Sequence, residues 1–295
     1  MAVDIERIRR HIEFLTESIR PAESDELEKC RRYVTGLFED CGWNVEHCPF
    51  VAETDWGSAL KGVNLVARRT DFDPSAPRFC IGAHLDSRPD TPGADDNASA
   101  VAVLMEIARL LPGRLSDEPT LQLELVAFDL EENGMLGGAF HAKVARETQV
   151  DLRGMVSLEM LGYCDTTPGS QQLPKQLKGL YPETGDFIAI IGNQISGDLI
   201  HVFRDGMQTV RGLPVECLAV PQNGELLQAS RLSDHSPFWD EGFSALMITD
   251  TSFMRNPHYH QMSDTIDTLD MDFLERVGNG CVEAVARIVN NGIES

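Results

Sequence analysis

Short apolar runs alternate along this chain with segments of helical period, and this alternation restricts the fold more than any other feature of the sequence. Over residues 4–19, isoleucine and leucine recur every three or four positions, which marks one face of a helix. A second helix is predicted to start at Asp25, where Glu28 closes a capping box, and to end near Gly42. After this point the hydrophobic period changes to that of strands.

The strand-like segments are short, rich in valine, isoleucine and phenylalanine, and separated by further helical segments. Strands are predicted at 44–51, 62–69, 78–84, 121–130, 155–161, 186–191 and 244–249. Further helices are predicted from about residue 97, with an Asp or Asn N-cap, from about residue 137, and over 271–291. Strands that alternate with helices imply a mainly parallel sheet covered on both faces. We therefore predict an α/β fold, a three-layer α-β-α sandwich with a central mixed, mainly parallel sheet.

The 295 residues are predicted to form one domain, because α/β enzymes often reach this length around a single core. Residues 1–52, which hold the two helices and the first strand, are expected to pack on that domain. The segment 162–185 contains three prolines and several glycines, shows no period, and is long for a connection inside a compact domain. We interpret it as an active-site loop.

The chain is strongly acidic, with 47 acids, 25 bases and a formal net charge of −22. Such a field repels nucleic acids and anionic membranes, so neither is an expected partner. No stretch approaches about 20 apolar residues, and the N-terminus lacks a secretory pattern. Seven cysteines, widely spread and without a C-x-x-C pair, are typical of reduced thiols. We expect a cytoplasmic protein, and the sequence leaves its oligomeric state open.

Histidines and acids collect where the predicted strands end, which is where sheets of this kind bind ligands. They are His84, Asp86, Asp95 and Asp96 after 78–84, Asp129, Glu131 and Glu132 at or after 121–130, Glu159 within 155–161, and His258 and His260 beyond the last strand. A carboxylate has two oxygens and can hold two cations about 3.5–4 Å apart, which suits Asp95. The predicted metal ligands are His84, Asp95, Glu132, Glu159 and His260. Imidazole and carboxylate without thiolate fit Zn²⁺ best, with Mn²⁺ or Co²⁺ as alternatives.

Two pairs of neighbours suggest how such a centre works. His84 and Asp86 lie on one face of a strand, so the Asp86 carboxylate can accept the proton of the imidazole nitrogen that does not bind metal. Glu131 and Glu132 are adjacent at a turn, where one can bind metal while the other takes a proton from an attacking water. Each pair alone more often marks an ordinary strand end or a solvated surface. Together with the other ligands, the two pairs predict hydrolysis.

Five segments, in this order, resemble motifs of the di-zinc aminopeptidase family to which bacterial leucyl aminopeptidases belong. They are AHLDS…PGADDNASA, FDLEENGMLGG, SLEML, SDHSPFWDEGFSA and NPHYHQMSDT, and they cover about residues 78–270. The resemblance implies a zinc-exopeptidase fold, two zinc ions per chain and a peptide substrate. It also implies an aminopeptidase, which removes the N-terminal residue of peptides.

The resemblance also implies a role for each matching position. Asp95 becomes the bridging ligand, with Glu132 and His260 on one zinc and His84 and Glu159 on the other. Glu131 becomes the general base, Asp86 the partner of His84, and Tyr259 a tyrosine that helps to polarise the scissile carbonyl. The family also tends to have a cis peptide bond after the bridging residue, which here would join Asp95 and Asp96.

Two departures from the family pattern leave the direction of cleavage open. Aminopeptidases of the family commonly carry Asp where this chain has Glu159, and some relatives carry Arg where it has Leu232. A carboxypeptidase or dipeptidase on the same site is therefore an alternative. Glutaminyl cyclase, which resembles this family but uses one zinc, and an inactive binding module are further alternatives. His235, at a helix start with Ser233 as N-cap, and His258, in a loop, are not assigned to the metal.

Overall fold

Eight strands form one mixed sheet in the computed structural model, which describes residues 2–54 and 57–293. The strands are β1 (Trp43–Glu53), β2 (Ala59–Arg69), β3 (Arg78–His84), β4 (Gln122–Phe128), β5 (Leu152–Glu159), β6 (Ile188–Asn193), β7 (Val215–Val220) and β8 (Ala245–Thr249). They lie in the order β1-β2-β4-β3-β5-β8-β6-β7. The sequence predicts all of them except β7, because Glu216 interrupts the short apolar run of that edge strand.

The centre of the sheet is parallel. β4, β3, β5 and β8 are neighbours that run in one direction. On one side β1 and β2 form an antiparallel hairpin that joins β4, and on the other side β6 pairs antiparallel with β8. Because the four central strands share a direction, their carboxyl ends meet at one edge of the sheet.

Helices cover both faces of the sheet. One face carries α1 (Ile5–Leu15), α2 (Asp25–Asp40), α3 (Ala100–Leu110), α5 (Gly197–Met207) and α7 (Met271–Asn291), and the other carries α4 (Leu136–Glu147) and α6 (His235–Asp240). Strand side chains alternate between two cores, so Phe79 and Ile81 of β3 join the first core and Cys80 joins the second. The predicted three-layer α-β-α architecture is confirmed. Within the described residues, no helix is both long enough and apolar enough to cross a bilayer.

α2 begins at Asp25 as predicted, but its cap and the start of α3 differ from the sequence prediction. α2 is capped by Ser24, whose Oγ accepts a backbone N–H at 3.1 Å, so the capping box of Asp25 and Glu28 does not form. The Glu28 carboxylate pairs with arginines of the same helix instead. α3 begins at Ala100 rather than near residue 97, because residues 94–99 form a wide π-helical turn.

The segment 162–185 covers the part of the sheet next to β6 and β7. It contains one isolated bridge, between Asp165 and Gly185, and no helix. The Tyr181 hydroxyl donates a hydrogen bond to the backbone oxygen of Cys217 in β7 at 2.9 Å. α4 and α6 pack on β1, β2, β5 and β8, so over β6 and β7 this segment occupies the layer that the helices occupy elsewhere.

Candidate metal centre

The strand ends bring the predicted ligands together at one edge of the sheet. His84 is the last residue of β3, and Glu159 is the last residue of β5. Glu131 and Glu132 lie in a tight turn after β4, and His260 lies in the loop that follows β8. Because β4, β3 and β5 are adjacent and parallel, these side chains converge although they are far apart in the sequence.

The carboxylate between the two histidines is that of Asp96, which corrects the prediction of Asp95. Oδ1 of Asp96 lies 3.2 Å from His84 Nε2, and Oδ2 lies 3.1 Å from His260 Nε2. His84 Nε2 also lies 3.6 Å from Glu159 Oε2, and His260 Nε2 lies 3.4 Å from Glu132 Oε2. The result is two triplets that share one residue: His84, Asp96 and Glu159, and Asp96, Glu132 and His260.

Asp95 points away from this cluster. Its Oδ1 accepts a hydrogen bond from Gly162 N at 2.9 Å, and its Oδ2 accepts one from Asn256 Nδ2 at 2.8 Å. Both aspartates lie in the π-helical turn of residues 94–99, where their side chains project in different directions, so Asp96 faces the histidines and Asp95 does not. The backbone path of this turn determines which of the two aspartates faces the histidines, and that path cannot be predicted from the sequence. The cis peptide bond likewise lies one residue later than predicted, between Asp96 and Asn97.

Asp86 lies beside His84, but its carboxylate has a different task from the predicted one. The Nδ1 of His84 faces the backbone oxygen of Asp86 at 3.1 Å, whereas the carboxylate is 3.6 Å away. The two carboxylate oxygens accept the backbone N–H groups of Glu131 and Glu132, each at 3.1 Å. The backbone oxygen therefore orients the imidazole, and the carboxylate fixes the turn that carries both glutamates.

Glu131 lies on the cavity side of the cluster, and its Oε2 is 3.8 Å from His84 Nε2. Burial raises the pKa of the Glu131 carboxyl well above its usual value; the nearby His84 opposes this shift, and Glu159 and Glu132 reinforce it. A carboxyl in this environment holds a proton readily. Glu131 is thus suited to accept and return a proton during a reaction.

The cluster concentrates negative charge in a buried volume. Burial opposes protonation of both histidines, yet the surrounding carboxylates prevail, so the pKa of His84 is well above its usual value and that of His260 rises to about 9. Burial, reinforced by the Asp96 carboxylate, raises the pKa of Glu132 to about 7. Divalent cations held by these residues would stabilise the ionised carboxylates.

The residues present fit divalent cations. His84 Nε2 and Glu132 Oε1 are buried and have no hydrogen-bond partner in the described part of the chain. Buried polar atoms are rarely left unpaired in proteins, and a metal ion satisfies them. The donor atoms of each triplet all lie within 4.8 Å of one another. Imidazole and carboxylate donors without thiolate match the ligand preferences of zinc.

Ser233 and Asp264 hold the cluster in place, whereas the sequence analysis gave Ser233 only a capping role and did not single out Asp264. Ser233 Oγ donates to Glu159 Oε2 at 2.8 Å rather than capping α6. The two carboxylate oxygens of Asp264 accept the backbone N–H groups of Asp95 and Asp96, at 2.9 and 3.2 Å. Both residues lie within motifs of the family resemblance, which is the signal that pointed to them.

The histidines that the sequence analysis left unassigned lie outside the cluster. His235 is buried at the start of α6, where its Nε2 faces a backbone oxygen at 2.8 Å, and His258 faces a serine hydroxyl at 2.9 Å. The described residues contain one further group of metal-type side chains: Cys80, Glu124 and His141. Glu124 is already paired with an arginine at 2.6 Å, so that group is an ion-pair network.

A cavity of about 250 Å³ opens beside the metal cluster. Asp96, Glu131, Glu132, Glu159 and His260 line one end of it. Farther in, the lining is mostly apolar, with Ala189, Ile191, Leu218 and Met247 from the sheet, Phe187 from just before β6, and Leu173 and Leu177 from the segment 162–185. The segment thus forms one wall of the cavity next to the cluster.

Tyr259 lines the cavity beside the metal cluster. Its ring stacks on that of His260, with 3.6 Å between the ring centroids. Burial, and then the neighbouring Asp96 and Glu159 carboxylates, raise the pKa of the Tyr259 phenol above its usual value. The hydroxyl group therefore stays protonated and can donate a hydrogen bond to a ligand in the cavity.

An α/β sandwich with two histidine–carboxylate triplets at the carboxyl ends of its parallel strands defines the class of metal-dependent hydrolases. The sequence model of peptidase family M28 matches residues 64–285. The chain belongs to peptidase family M28, and it is a hydrolase.

Several proteins are similar to this chain in sequence. The uncharacterised protein YfbL of Escherichia coli K12 is 34% identical over 94% of this chain and 86% of its own length. Aminopeptidase YwaD of Bacillus subtilis is 25% identical, with 71% of this chain and 40% of that protein covered. A probable zinc metalloprotease of Pyricularia oryzae is 27% identical, with 78% and 50% covered. This chain therefore spans half or less of the last two proteins.

Solved structures share the fold. LapA aminopeptidase of Legionella pneumophila superposes with a TM-score of 0.73 at 19% identity, with 98% of this chain and 73% of that one covered. An aminopeptidase from Aneurinibacillus gives 0.70 at 18% identity, with 96% and 93% covered. Glutaminyl cyclase of Porphyromonas gingivalis gives 0.73 at 17% identity, with 96% and 97% covered. At these identities the likeness shows the fold alone, and it agrees with the predicted zinc-exopeptidase architecture.

Proposed function

We propose that this chain is a two-zinc aminopeptidase, which removes the N-terminal residue of peptides. The observation that carries the proposal is the position of Asp96, because one of its carboxylate oxygens faces His84 and the other faces His260. A carboxylate shared in this way supports two ions rather than one. The names of relatives, a probable zinc metalloprotease and an aminopeptidase among them, support zinc and the reaction.

The shape of the cavity supports cleavage at the end of a chain. Its volume of about 250 Å³ suits one side chain. The sheet bounds it on one side and the segment 162–185 bounds it on another, and the enclosed volume has room for a terminal residue rather than for a longer stretch of peptide. A substrate therefore places its terminal residue in the cavity and its remainder outside.

The charge of the cavity supports binding of the N-terminus. Of the described residues that line it, five are acids and one is an arginine, Arg88. The guanidinium of Arg88 lies 4.0 Å from Glu132, which partly neutralises it. An acidic lining attracts the free ammonium group of a peptide more strongly than its free carboxylate.

The residues of the chain divide the reaction between them. When bound, zinc supplies Lewis acidity, which polarises a carbonyl and lowers the pKa of water to about 7. Glu131 takes the proton of the attacking water at Oε2 and delivers it to the leaving amine. The Asp86 carboxylate binds the backbone N–H groups of Glu131 and Glu132, which fixes the position of the proposed base, Glu131, relative to the proposed ligand, Glu132. Tyr259 donates a hydrogen bond to the carbonyl oxygen as negative charge develops there.

Metal content and turnover together test the proposal. The zinc-loaded, desalted chain is expected to contain two zinc ions by elemental analysis. Glu131→Gln is expected to keep both ions and to hydrolyse aminoacyl substrates about 10²–10⁴-fold more slowly. Glu225→Gln, exposed and outside the cavity lining, is the matched control and keeps the wild-type rate. Normal turnover in Glu131→Gln would refute the role of Glu131 as the base. A single zinc ion per chain would refute the proposal that Asp96 is shared by two ions.

The choice of substrate separates the alternatives. An aminopeptidase cleaves leucine p-nitroanilide and leaves its N-acetylated form intact. A carboxypeptidase cleaves N-blocked peptides with a free carboxylate, and a dipeptidase cleaves only dipeptides. Glutaminyl cyclases are among the structural neighbours, so ammonia release from an N-terminal glutamine peptide is measured as well. A binding module turns over none of these substrates after zinc loading.

We also propose that the protein works in the cytoplasm. All seven cysteines are free thiols in the described structure, which suits a reducing compartment. Fractionation of the source cells tests this.

A further inference from the structure

Glu216 of β7 lies at the far end of the cavity from the metal cluster. The sheet register fixes its position. Glu159 of β5 pairs with Thr249 of β8, Thr249 pairs with Ala189 of β6, and Ala189 pairs with Glu216. All four residues line the cavity, so they form one row along it. With neighbouring strands about 4.7–4.9 Å apart, the row separates Glu159 from Glu216 by roughly 14 Å.

The row lies on one face of the sheet, because directly paired residues of adjacent strands project to the same side. That side is the face covered by α4 and α6 elsewhere, and here by the segment 162–185. The cavity therefore extends from a metal ligand at one end to a carboxylate at the other, along the surface of the sheet.

The Glu216 carboxylate has no salt bridge or hydrogen bond in the described structure, and the residue is half-buried. Burial raises the pKa of this carboxyl. The Tyr181 phenol lies close by, and its pKa is raised by burial and then by the Glu216 charge. Tyr181 is fixed beside Glu216 by its bond to the backbone oxygen of Cys217. A partly desolvated carboxylate without a partner is unfavourable, and a cationic ligand compensates for it.

The wall between the two ends of the cavity is apolar. Ala189, Ile191, Leu218 and Met247 belong to it. Arginine and lysine carry an apolar stem and a charged head, and they pack the stem on such surfaces while the head reaches a polar partner. Leucine and phenylalanine contact only the wall.

We propose that Glu216 selects substrates whose N-terminal residue is arginine or lysine, a proposal that rests on the aminopeptidase function above. The stem of the terminal side chain lies along the row from Thr249 to Ala189. The guanidinium or ammonium group then pairs with the Glu216 carboxylate, close to Tyr181. Shorter or neutral side chains leave Glu216 unpaired.

The test compares arginyl with citrullyl substrates, because citrulline has nearly the shape of arginine and no charge. The wild-type kcat/KM is expected to be about tenfold or more higher for the arginyl p-nitroanilide. Glu216→Gln is expected to bring this ratio close to one, and Glu216→Asp, which keeps the charge, to restore part of it. Glu225→Gln removes one exposed charge of the same kind and keeps the wild-type ratio, which controls for the acidic field of the whole chain.

Calorimetry with the free amino acids separates this proposal from the aminopeptidase function, because it needs no turnover. Tighter binding of arginine than of citrulline, lost in Glu216→Gln, supports the Glu216 site. If such binding is found but no substrate is hydrolysed, the Glu216 site stands and the aminopeptidase function is refuted. The Glu216 proposal would be overturned if arginine and citrulline bound equally, if their substrates had equal kcat/KM, and if Glu216→Gln changed neither. Continued hydrolysis in that case would leave the aminopeptidase function standing.

Discussion

Replacement of Arg20 by methionine is expected to destabilise the protein and to loosen the metal cluster, although Arg20 is not a ligand. Arg20 is fully buried between α1 and the segment 85–93. Its guanidinium donates hydrogen bonds of 2.5–3.2 Å to the backbone oxygens of Leu15, Leu85, Pro92 and Gly93. The segment 85–93 connects His84 to the turn that carries Asp96. One side chain thus fixes the path between two ligand positions.

The magnitude follows from those four bonds. Methionine keeps much of the volume and removes every donor. A buried carbonyl left without a partner costs about 1–3 kcal/mol, so four of them would cost roughly 4–12 kcal/mol in a rigid structure. Water that enters the vacated space relieves part of this cost. We therefore expect the free energy of unfolding to fall by about 4 kcal/mol, which is large for one substitution and a sizeable share of a total of about 5–15 kcal/mol.

Urea unfolding of the zinc-free proteins, followed by tryptophan fluorescence, measures this loss. Competition with a chromophoric chelator then measures zinc affinity, which is expected to fall in Arg20→Met. Arg32→Met is the matched control, because Arg32 is exposed and makes only a 3.4 Å salt bridge to Glu28, so its effect should stay within about 0.5 kcal/mol. A wild-type urea midpoint together with wild-type zinc affinity in Arg20→Met would refute the reasoning.

Three further predictions concern the metal cluster and the cavity. Asp96→Asn is expected to lose at least one zinc ion per chain, while Asp95→Asn keeps both. Elemental analysis of the two variants shows which of the two aspartates binds metal. Because the pKa values of Glu132 and His260 without metal are raised to about 7 and about 9, zinc displaces protons near neutral pH and its affinity rises with pH. Calorimetry in buffers of different ionisation enthalpy counts those protons, and release of none would contradict the assignment. Ala189→Leu narrows the middle of the cavity and is expected to lower kcat/KM for leucyl and arginyl substrates by about tenfold or more relative to alanyl ones. Equal losses for all three would show that the terminal side chain binds elsewhere.

The sequence predicts where the metal cluster lies because hydrophobic periodicity locates strand ends. His84, Glu132 and His260 end or follow predicted strands, Glu159 lies near the end of one, and the structure brings all four side chains to one edge of the sheet. Parallel strands force this convergence, whatever the distance along the chain. The three-layer architecture is predictable for the same reason.

The sequence does not predict contacts that depend on the path of irregular backbone. Asp95 and Asp96 are chemically identical neighbours, and a hydrogen bond from the backbone of Gly162 helps to hold Asp95 away from the histidines. Gly162 is remote in sequence from Asp95, so no local pattern indicates the contact. The position of Glu216 cannot be predicted for a different reason. A charged residue within a short apolar run argues against a strand, whereas Glu216 belongs to β7 and lines the cavity.

The division of the cavity wall between sheet and segment 162–185 has a consequence for how proteins of this kind diversify. The groups proposed to carry out the reaction sit at the ends of buried parallel strands or in the turns and loops that follow them, and moving the strands would disturb both cores. The facing wall belongs to irregular chain held by contacts such as the Asp165–Gly185 bridge and the Tyr181 hydrogen bond. Insertions or substitutions between those anchors can reshape the binding surface and leave the reacting groups in place. Substrate choice and catalysis can therefore evolve separately in this architecture.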